Sequence, residues 1–537
     1  MTSDQPVEQA GATHADQGLD RRVLLVAGVV VLGAIMSILD MTIVGVAQNT
    51  FQSQWNATPA TVAWTMTGYT LALAAVIPVT GWAADRFGTK RLYMISTALF
   101  VLGSVMCAMA GGITELIIFR VIQGLGGGML MPLGMMILTR AAGPERIGRV
   151  MAVLGIPMLL GPIGGPILGG WLIESYSWHW IFLINLPIGV IAIIYAAIVL
   201  DKDETSPSES FDIVGFLLLS PGLALFLFGV SSIPEAQATE GTMFTARVLV
   251  SAIIGVVLIG AFVFWALRAK LPLLDLRLFK NRNMTVAMIT FTCFAIAFFG
   301  SMLLYSQYFI GVRGTTTLMA GLLLAPQGLG AMVTMPIAGT LTDKMGPGKF
   351  VMSGLALIVV GLIAFATIDA DTSYWIVCGS LFVQGLGMGM TMMPTMSAAI
   401  RTLEPHSISR GSTLTNIVQQ ISASIGTAVF SVIFTNLLKS AGPLIPAPGQ
   451  PAPVAQGAAA FGFNSSPSAR EQGAKLLGGQ DKFDAFLQQA LPDAAHAFAH
   501  SWVVAAALVA ICLIPAFFLP RSHDADTGAA ERAVMVH

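Results

Sequence analysis

Along the chain, apolar runs long enough to cross a bilayer alternate with short polar connections. A helix needs about 20 apolar residues to span a hydrocarbon core of about 30 Å. Runs of this kind, bounded by charges or by Gly and Pro, fall near residues 22–46, 62–82, 93–112, 114–138, 148–172, 180–200 and 212–232. They continue near 246–267, 284–310, 316–341, 350–368, 374–398, 411–436 and 498–519. The pattern predicts an all-α polytopic membrane protein of fourteen spans. Residues 1–20 are polar, with Asp4, Glu8, Asp16 and Asp20, and lack the apolar core and cleavage pattern of a secretory signal, so the first span is expected to remain as an anchor. One connection is long: residues 437–497 are rich in Ala, Gly and Pro up to about 468 and weakly helical beyond. It is expected to form a tethered cap or solvated loop, with a docking surface for a partner protein as the alternative.

Charge decides which way the spans face. With the N-terminus inside, alternate connections and the tails put twenty Lys and Arg on the cytoplasmic side and six outside, while Arg120 lies within a span. The bias of Lys and Arg toward the cytoplasm then places both termini inside, as expected for a multi-pass membrane protein. Composition narrows the chemistry further. Charged residues are only 10% of the 537, hydrophobic residues 55%, and mean hydropathy is +0.78, which excludes a water-soluble globule. Lys and Arg number 27 against 28 Asp and Glu, a balance that argues against nucleic acid as a partner. Cys107, Cys293, Cys378 and Cys512 all sit in apolar runs, and His496 and His500 have no third ligand nearby in sequence, so no metal site is expected. Gly346-Pro-Gly348-Lys349-Phe350 lacks the spacing and the hydroxyl of a phosphate-binding loop. With no ATP site and no cofactor expected, the energy source is expected to be an ion gradient.

Two halves repeat. Gly81-x-x-x-Asp85-Arg86-x-Gly88 after span 2 recurs 258 residues on as Gly339-x-x-x-Asp343-Lys344-x-Gly346 after span 10. The glycine-rich Gln123–Met129 in span 4 recurs 261 residues on as Gln384–Met390 in span 12. A chain that repeats spans 2–4 at 10–12 is built of two six-helix bundles, and spans 7 and 8 are the natural insert. The expected organisation is a cytoplasmic tail (1–20), an N-terminal six-helix bundle (21–200), two inserted helices (201–270), five helices of the C-terminal bundle (271–436), an extracytoplasmic loop (437–497), the last helix (498–519) and a cytoplasmic tail (520–537).

Several residues carry candidate chemistry. Asp40 is the only acidic residue deep in a span, and an unpaired carboxylate in hydrocarbon is costly enough to mark an ion or proton pathway; a neutral, hydrogen-bonded link between helices is the alternative. Arg120 in span 4 lies at the same depth, about 9 Å below the outer boundary at about 1.5 Å per residue. Span 5 carries Pro157, Gly161, Gly165 and Gly169 at four-residue spacing, a stripe without bulky side chains that lets a neighbouring helix approach, while Pro162 and Pro166 remove helix hydrogen bonds. Polar residues at depth, Gln123, Gln307, Gln327, Gln384, Asn416 and Gln419, line a cavity or bond between helices. The 28 Met and 30 Phe suit a pliable lipophilic pocket, although most must face lipid or core.

Five motifs in order resemble the major facilitator superfamily and, within it, the fourteen-span drug:proton antiporters of EmrB/QacA type. They are Leu39–Ala47 around Asp40, Gly81–Arg91, Arg120–Gly124, Gly161–Gly170, and Trp178–Pro187 entering span 6. One departure is that Gly45 and the pair Gln48 and Asn49 stand where the family usually has Asn and Leu-Pro. The resemblance implies the major facilitator fold and export of lipophilic compounds, cationic ones included, in exchange for protons by alternating access. A lipid, siderophore or metabolite exporter on the same scaffold is the rival, and no enzymatic activity is implied. It also implies that spans 1 and 4 adjoin, so that Asp40 and Arg120 meet as the proton-coupling pair. Gly81, Asp85, Arg86, Gly88, Lys90 and Arg91 are implied to latch the inner gate. The repeat copy keeps Asp343 but relaxes the basic pattern, so the stronger latch is expected at Asp85.

Overall fold

The computed structural model describes residues 20–521 apart from 144–145, 204–209, 241, 370, 405–406, 443, 446–453 and 465–466, and leaves out certain helical side chains, Pro162 and Pro166 among them. The expectations for residues 1–19 and 522–537, and for those two prolines, therefore lie outside the described residues. Among the described residues, thirteen helices are long and apolar enough to cross a membrane. The N-terminal half holds α1 (Arg21–Val46), α2 (Pro59–Phe87), α3 (Thr89–Ala108), α4 (Ile113–Ala142), α5 (Ile147–Ser175) and α6 (Trp180–Val199). Two helices follow, α7 (Ile213–Ser231) and α8 (Ala246–Arg268). The C-terminal half holds α9 (Arg282–Gln307), α10 (Thr317–Met345), α11 (Pro347–Ala366), α12 (Tyr374–Arg401) and α13 (Ile408–Lys439). Beyond a pair of two-residue strands, Leu444–Ile445 with Val454–Ala455, come α14 (Gln456–Asn464), α15 (Pro467–Leu477) and α16 (Gln480–Ala516). Only α5 of the fourteen long helices falls outside the thirteen, and its 29 residues are ample in length for a crossing.

Polar residues start these helices and glycines end them. Thr58, Asp212, Thr245 and Thr316 each accept a bond from the backbone N–H three residues on, capping α2, α7, α8 and α10. Gly88 (φ 92°) and Gly346 (φ 82°) stop α2 and α10 in a conformation that other residues adopt only under strain, so the repeat seen in sequence is a repeat of the turn itself. The glycines of α4 serve contact. A Cβ on Gly124 would sit 2.5 Å from the Tyr69 carbonyl of α2, and one on Gly126 would sit 2.5 Å from the Phe100 nitrogen of α3. Gly385 and Gly387 seat α12 against α10 and α11 in the same way. The glycine-rich signature thus wedges the fourth helix of each half between its second and third.

The halves meet along two seams, α5 against α10 and α2 against α13. The inserted pair α7 and α8 pack on each other, and α7 lies across the α2–α13 seam. The last long helix begins earlier than expected, at Gln480 rather than near 498. Its first turns and α14 form a cap whose Asn464 amide donates to the Gly311 and Val312 carbonyls at 2.9 and 3.1 Å. Those carbonyls belong to a π-helical turn, Tyr308–Val312, at the end of α9, where wider winding leaves backbone groups that need partners.

Candidate functional site

Asp40 of α1 and Arg120 of α4 form an ion pair at 2.5 Å, with Asp40 1% exposed and Arg120 0%. Removing two charges from solvent is costly unless their remaining hydrogen-bonding capacity is met. Here most of it is met. Arg120 Nη1 also donates to Gln123 Oε1 at 2.7 Å, and Arg120 Nε to the Thr65 carbonyl of α2 at 3.0 Å. The second Asp40 oxygen accepts from Gln123 Nε2 at 2.8 Å and from Asn185 Nδ2 of α6 at 3.1 Å. Asn185 is oriented in turn by a 2.9 Å bond to Ser104 of α3. The Tyr69 ring of α2 lies 4.2 Å from the Arg120 guanidinium carbon, an arrangement in which the negative ring face attracts the cation. Arg120 Nη2 has no hydrogen-bond partner among the described residues. One carboxylate thus gathers side chains from α1, α4 and α6, and its arginine reaches α2.

The stripe on α5 faces α1 at this level. Cβ atoms on Gly161 and Gly165 would overlap Ile38 and Thr42, and one on Gly169 would sit 3.1 Å from Ile43. Thr42 Oγ1 donates to the Gly161 carbonyl at 3.1 Å, a bond that a bulkier residue at the contact would prise open. Pro157 is buried on the same helix.

Next to the pair lies a cavity of about 390 Å³ between the halves. The N-terminal half contributes Ser37, Met41, Thr42, Tyr69, Leu73 and Met131 among others, and the C-terminal half Phe298, Phe299, Met302, Gln327, Met388, Met392, Asn416, Gln419 and Gln420. Tyr69 belongs to both places. Its ring covers Arg120, it lines the cavity, and its hydroxyl lies 3.3 Å from Ser37.

At the face where α1 begins, each half reaches into the other. Asp85, at the end of α2, accepts from Ser409 of α13 at 2.7 Å and from Arg140 of α4 at 3.1 Å, and Arg140 also bonds Ser409 at 2.8 Å. Asp343, at the end of α10, accepts from the backbone N–H groups of Gly148 and Arg149 at the start of α5, at 2.8 and 3.3 Å. The Arg149 side chain lies 3.6 Å from the same carboxylate. Each aspartate therefore sits at the first turn of a helix of the opposite half, where backbone N–H groups and the helix dipole favour an anion. Gly339 and Gly81 allow the approach, since a Cβ on Gly339 would sit 2.7 Å from the Gly148 carbonyl oxygen and one on Gly81 would sit 3.0 Å from the Thr413 hydroxyl.

Some sequence expectations require correction. Lys90 and Arg91 do not reach the opposite half. Their backbone N–H groups bond to Asp203 at 2.8 and 3.1 Å, and Lys90 Nζ bonds to the Ala197 and Leu200 carbonyls at 2.7 and 2.6 Å. Lys90 is drawn to the end of α6 because the last carbonyls of a helix lack intrahelical partners, and Arg91 is held by the Asp203 carboxylate. Gly88 turns the chain beside Asp203, and Arg86 is exposed. Of the two readings for Gln123, the structure takes the bond between helices rather than the cavity wall: the side chain is fully buried in the ion pair. Gln384, its counterpart in the repeat, exchanges bonds with Tyr305 at 2.6 and 2.9 Å and receives one from Gln327 at 2.8 Å. Gln384 and Gln307 lie off the central cavity, whereas Gln327, Asn416 and Gln419 line it. Asn185, Tyr69, Arg140, Asp203 and Ser409 were not singled out from sequence. For Asn185 a signal existed, an amide inside an apolar run at the depth of Asp40.

Fold and site together describe a two-bundle membrane transporter with a central cavity. The sequence profile of the Major Facilitator Superfamily matches residues 30–427. A relative in Mycobacterium tuberculosis (strain ATCC 25618 / H37Rv), called multidrug resistance protein B homolog, is 49% identical over 524 residues, covering 96% of this chain and 94% of its own. The multidrug export protein EmrB of Escherichia coli (strain K12) is 31% identical over 408 residues, covering 75% of this chain and 79% of its own. Among solved structures, the proton:xylose symporter XylE superposes with a TM-score of 0.52 at 13% identity, covering 92% of this chain and 96% of that one. A human organic anion transporter superposes with 0.54 at 14% identity, covering 92% and 100%. The chain belongs to the major facilitator superfamily, and its sequence relatives include bacterial multidrug exporters.

Proposed function

We propose that the protein is a proton-driven antiporter that exports lipophilic compounds across a bacterial plasma membrane by alternating access, with both termini cytoplasmic. The observation that carries this reading is the buried Asp40–Arg120 pair, joined to the central cavity through Tyr69. Export against a gradient requires that proton and substrate favour opposed states of the same two-state machine. Protonating Asp40 cancels its attraction for Arg120 and weakens the tie between α1 and α4. The Asp85 and Asp343 contacts hold the halves together at the face we assign to the cytoplasm. The charge asymmetry of the connections supports that assignment, and the names of the sequence relatives support drug-like substrates.

The test is made in proteoliposomes. Adding substrate to the wild type should release protons, and Asp40→Asn, a near-isosteric neutral replacement, should abolish that release and uphill transport while the protein still folds. Asp40→Glu should keep part of both. Uphill transport with proton release intact in Asp40→Asn would make Asp40 a structural link and end the coupling assignment. Tags on both termini should be reachable only from the cytoplasm and one in residues 437–497 only from outside; the reverse labelling would overturn the orientation.

A further inference from the structure

The central cavity is lipophilic, yet among its described lining residues none is ionisable except Tyr69. The nearest acid, Asp40, is spent on Arg120, and both are sealed from the cavity. A permanent cation entering the cavity would leave water without meeting a counter-charge, and burial without compensation is what a charge tolerates least. Aromatic faces are the remaining attraction for a cation. The Tyr69 ring already stacks on the Arg120 guanidinium at 4.2 Å, so its face is taken and a positive charge stands behind it; Phe298 and Phe299 also line the cavity, but Phe298 stacks on Phe294 and meets Phe299 edge-on, and neither brings a counter-charge.

The polar groups the cavity does offer are amides, and they are grouped. Gln327 comes from α10, and Asn416, Gln419 and Gln420 from a single stretch of α13. Gln327 spends one N–H on Gln384, which leaves its carbonyl oxygen and its second N–H. Asn416 donates once, to the Ser412 carbonyl at 2.9 Å, and keeps its oxygen and its other N–H. Gln419 and Gln420 make no side-chain hydrogen bond among the described residues, so both amides are available to a guest. Phe298, Phe299 and the methionines supply the rest of the wall, where flexible thioethers adapt to different apolar shapes.

From this division we infer that the cavity selects uncharged lipophilic molecules bearing a strong hydrogen-bond acceptor or amide, read by the α13 amide row, and disfavours permanent lipophilic cations. The inference rests on the cavity being the substrate site of the proposed exporter, and it departs from the inclusion of cations that family resemblance implies.

Three probes of matched bulk separate the terms: triphenylphosphine oxide, neutral with a strong acceptor; tetraphenylphosphonium, a permanent cation; and triphenylmethane, neutral without polar groups. Saturation binding of each, in tritiated form, is measured on the purified full-length protein. The oxide should bind at least tenfold more tightly than the cation. Asn416→Leu and Gln419→Leu together should lower oxide binding about tenfold without lowering triphenylmethane binding, since leucine only adds apolar surface, and an unfolding temperature near that of the wild type reports that the variant is folded. Binding of the cation equal to or tighter than the oxide, no binding of the oxide, or oxide binding that survives both substitutions overturns the inference. If the oxide binds with the stated preference but is never carried in proteoliposomes, the selectivity stands and the export reading fails. If the cation is exported and the amide substitutions change nothing, export stands and the selectivity fails.

Discussion

Removing one member of a buried ion pair strands the other, typically at a cost of about 3–5 kcal/mol. Arg120→Ala would leave Asp40 charged among side chains it cannot escape, with only the Gln123 and Asn185 amides to hold it. We expect a marked fall in the unfolding temperature of the purified protein, and partial recovery when Asp40→Asn is added, because the stranded charge is then gone. Strictly additive losses in the double variant would show that the two residues act separately. How Asp40 and Arg120 were found, and Asn185 and Tyr69 missed, is a matter of physics. A charge in hydrocarbon is conspicuous in any sequence, and counting residues from the span ends gives its depth. A tyrosine in an apolar run has no such signature, and although the Asn185 amide stands out at that depth, which way either side chain points depends on how α6 and α2 are rotated. That rotation is set by packing against α3 and α4. The same limit explains Lys90 and Arg91. A count of basic residues tells which side of the membrane a loop occupies, but the partner, Asp203, lies more than a hundred residues away at the end of another helix.

Helices need their contact faces more than their hydropathy. The glycines of α5 make this testable within one element, because they differ in what a side chain would meet. Gly165 is pressed on Thr42 beside Asp40, whereas nothing lies within 4 Å of a Cβ on Gly170. Gly165→Val should force α5 off α1 and cost most of the transport rate in vesicles, while Gly170→Val should be near wild type. Equal rates in the two would mean that the stripe is not the contact that sets the α1–α5 distance. A second element-scale expectation concerns Gly88, where a side chain would meet both a strained φ of 92° and the Asp203 carboxylate. Backbone strain of this kind costs of order 1–3 kcal/mol, so Gly88→Ala should lower the unfolding temperature, and an unchanged temperature would count against the strain. The order of the long helices was legible because bilayer thickness sets the length of every apolar run. The early start of α16 was not. Its first eighteen residues carry charges and lie beyond the apolar run, and what keeps them helical is packing of Phe483, Leu487 and Ala490 against α14 and α15, a contact that hydropathy does not report.

At the scale of the whole molecule, two pseudo-equivalent contacts join the halves at one face, and they differ in burial. The sequence favours Asp85, whose loop keeps the full basic pattern. The structure buries the Asp343 contact more deeply. Its side chain is 2% exposed and that of its partner Arg149 11%, against 21% for Asp85 and 35% for Arg140. Solvent screens the second pair more, and exposed ion pairs are worth only about 0–1 kcal/mol, whereas bonds to a buried charged group reach about 1.5–3 kcal/mol. Asp343→Asn should therefore shift the equilibrium toward opening at this face more than Asp85→Asn does. At about 1.4 kcal/mol per factor of ten, the difference should approach tenfold in the open population. Hydrogen–deuterium exchange reads this directly at the first turns of α5 and α13, the two helix starts that the aspartates hold. Because the contacts lie on opposite seams and the bonds described for them have no residue in common, the double variant should show the two free energies of opening added within a few tenths of a kcal/mol. A larger effect at Asp85, or no change in exchange in either variant, would mean that the closed face is held by apolar packing between the halves and that the aspartates merely cap helices.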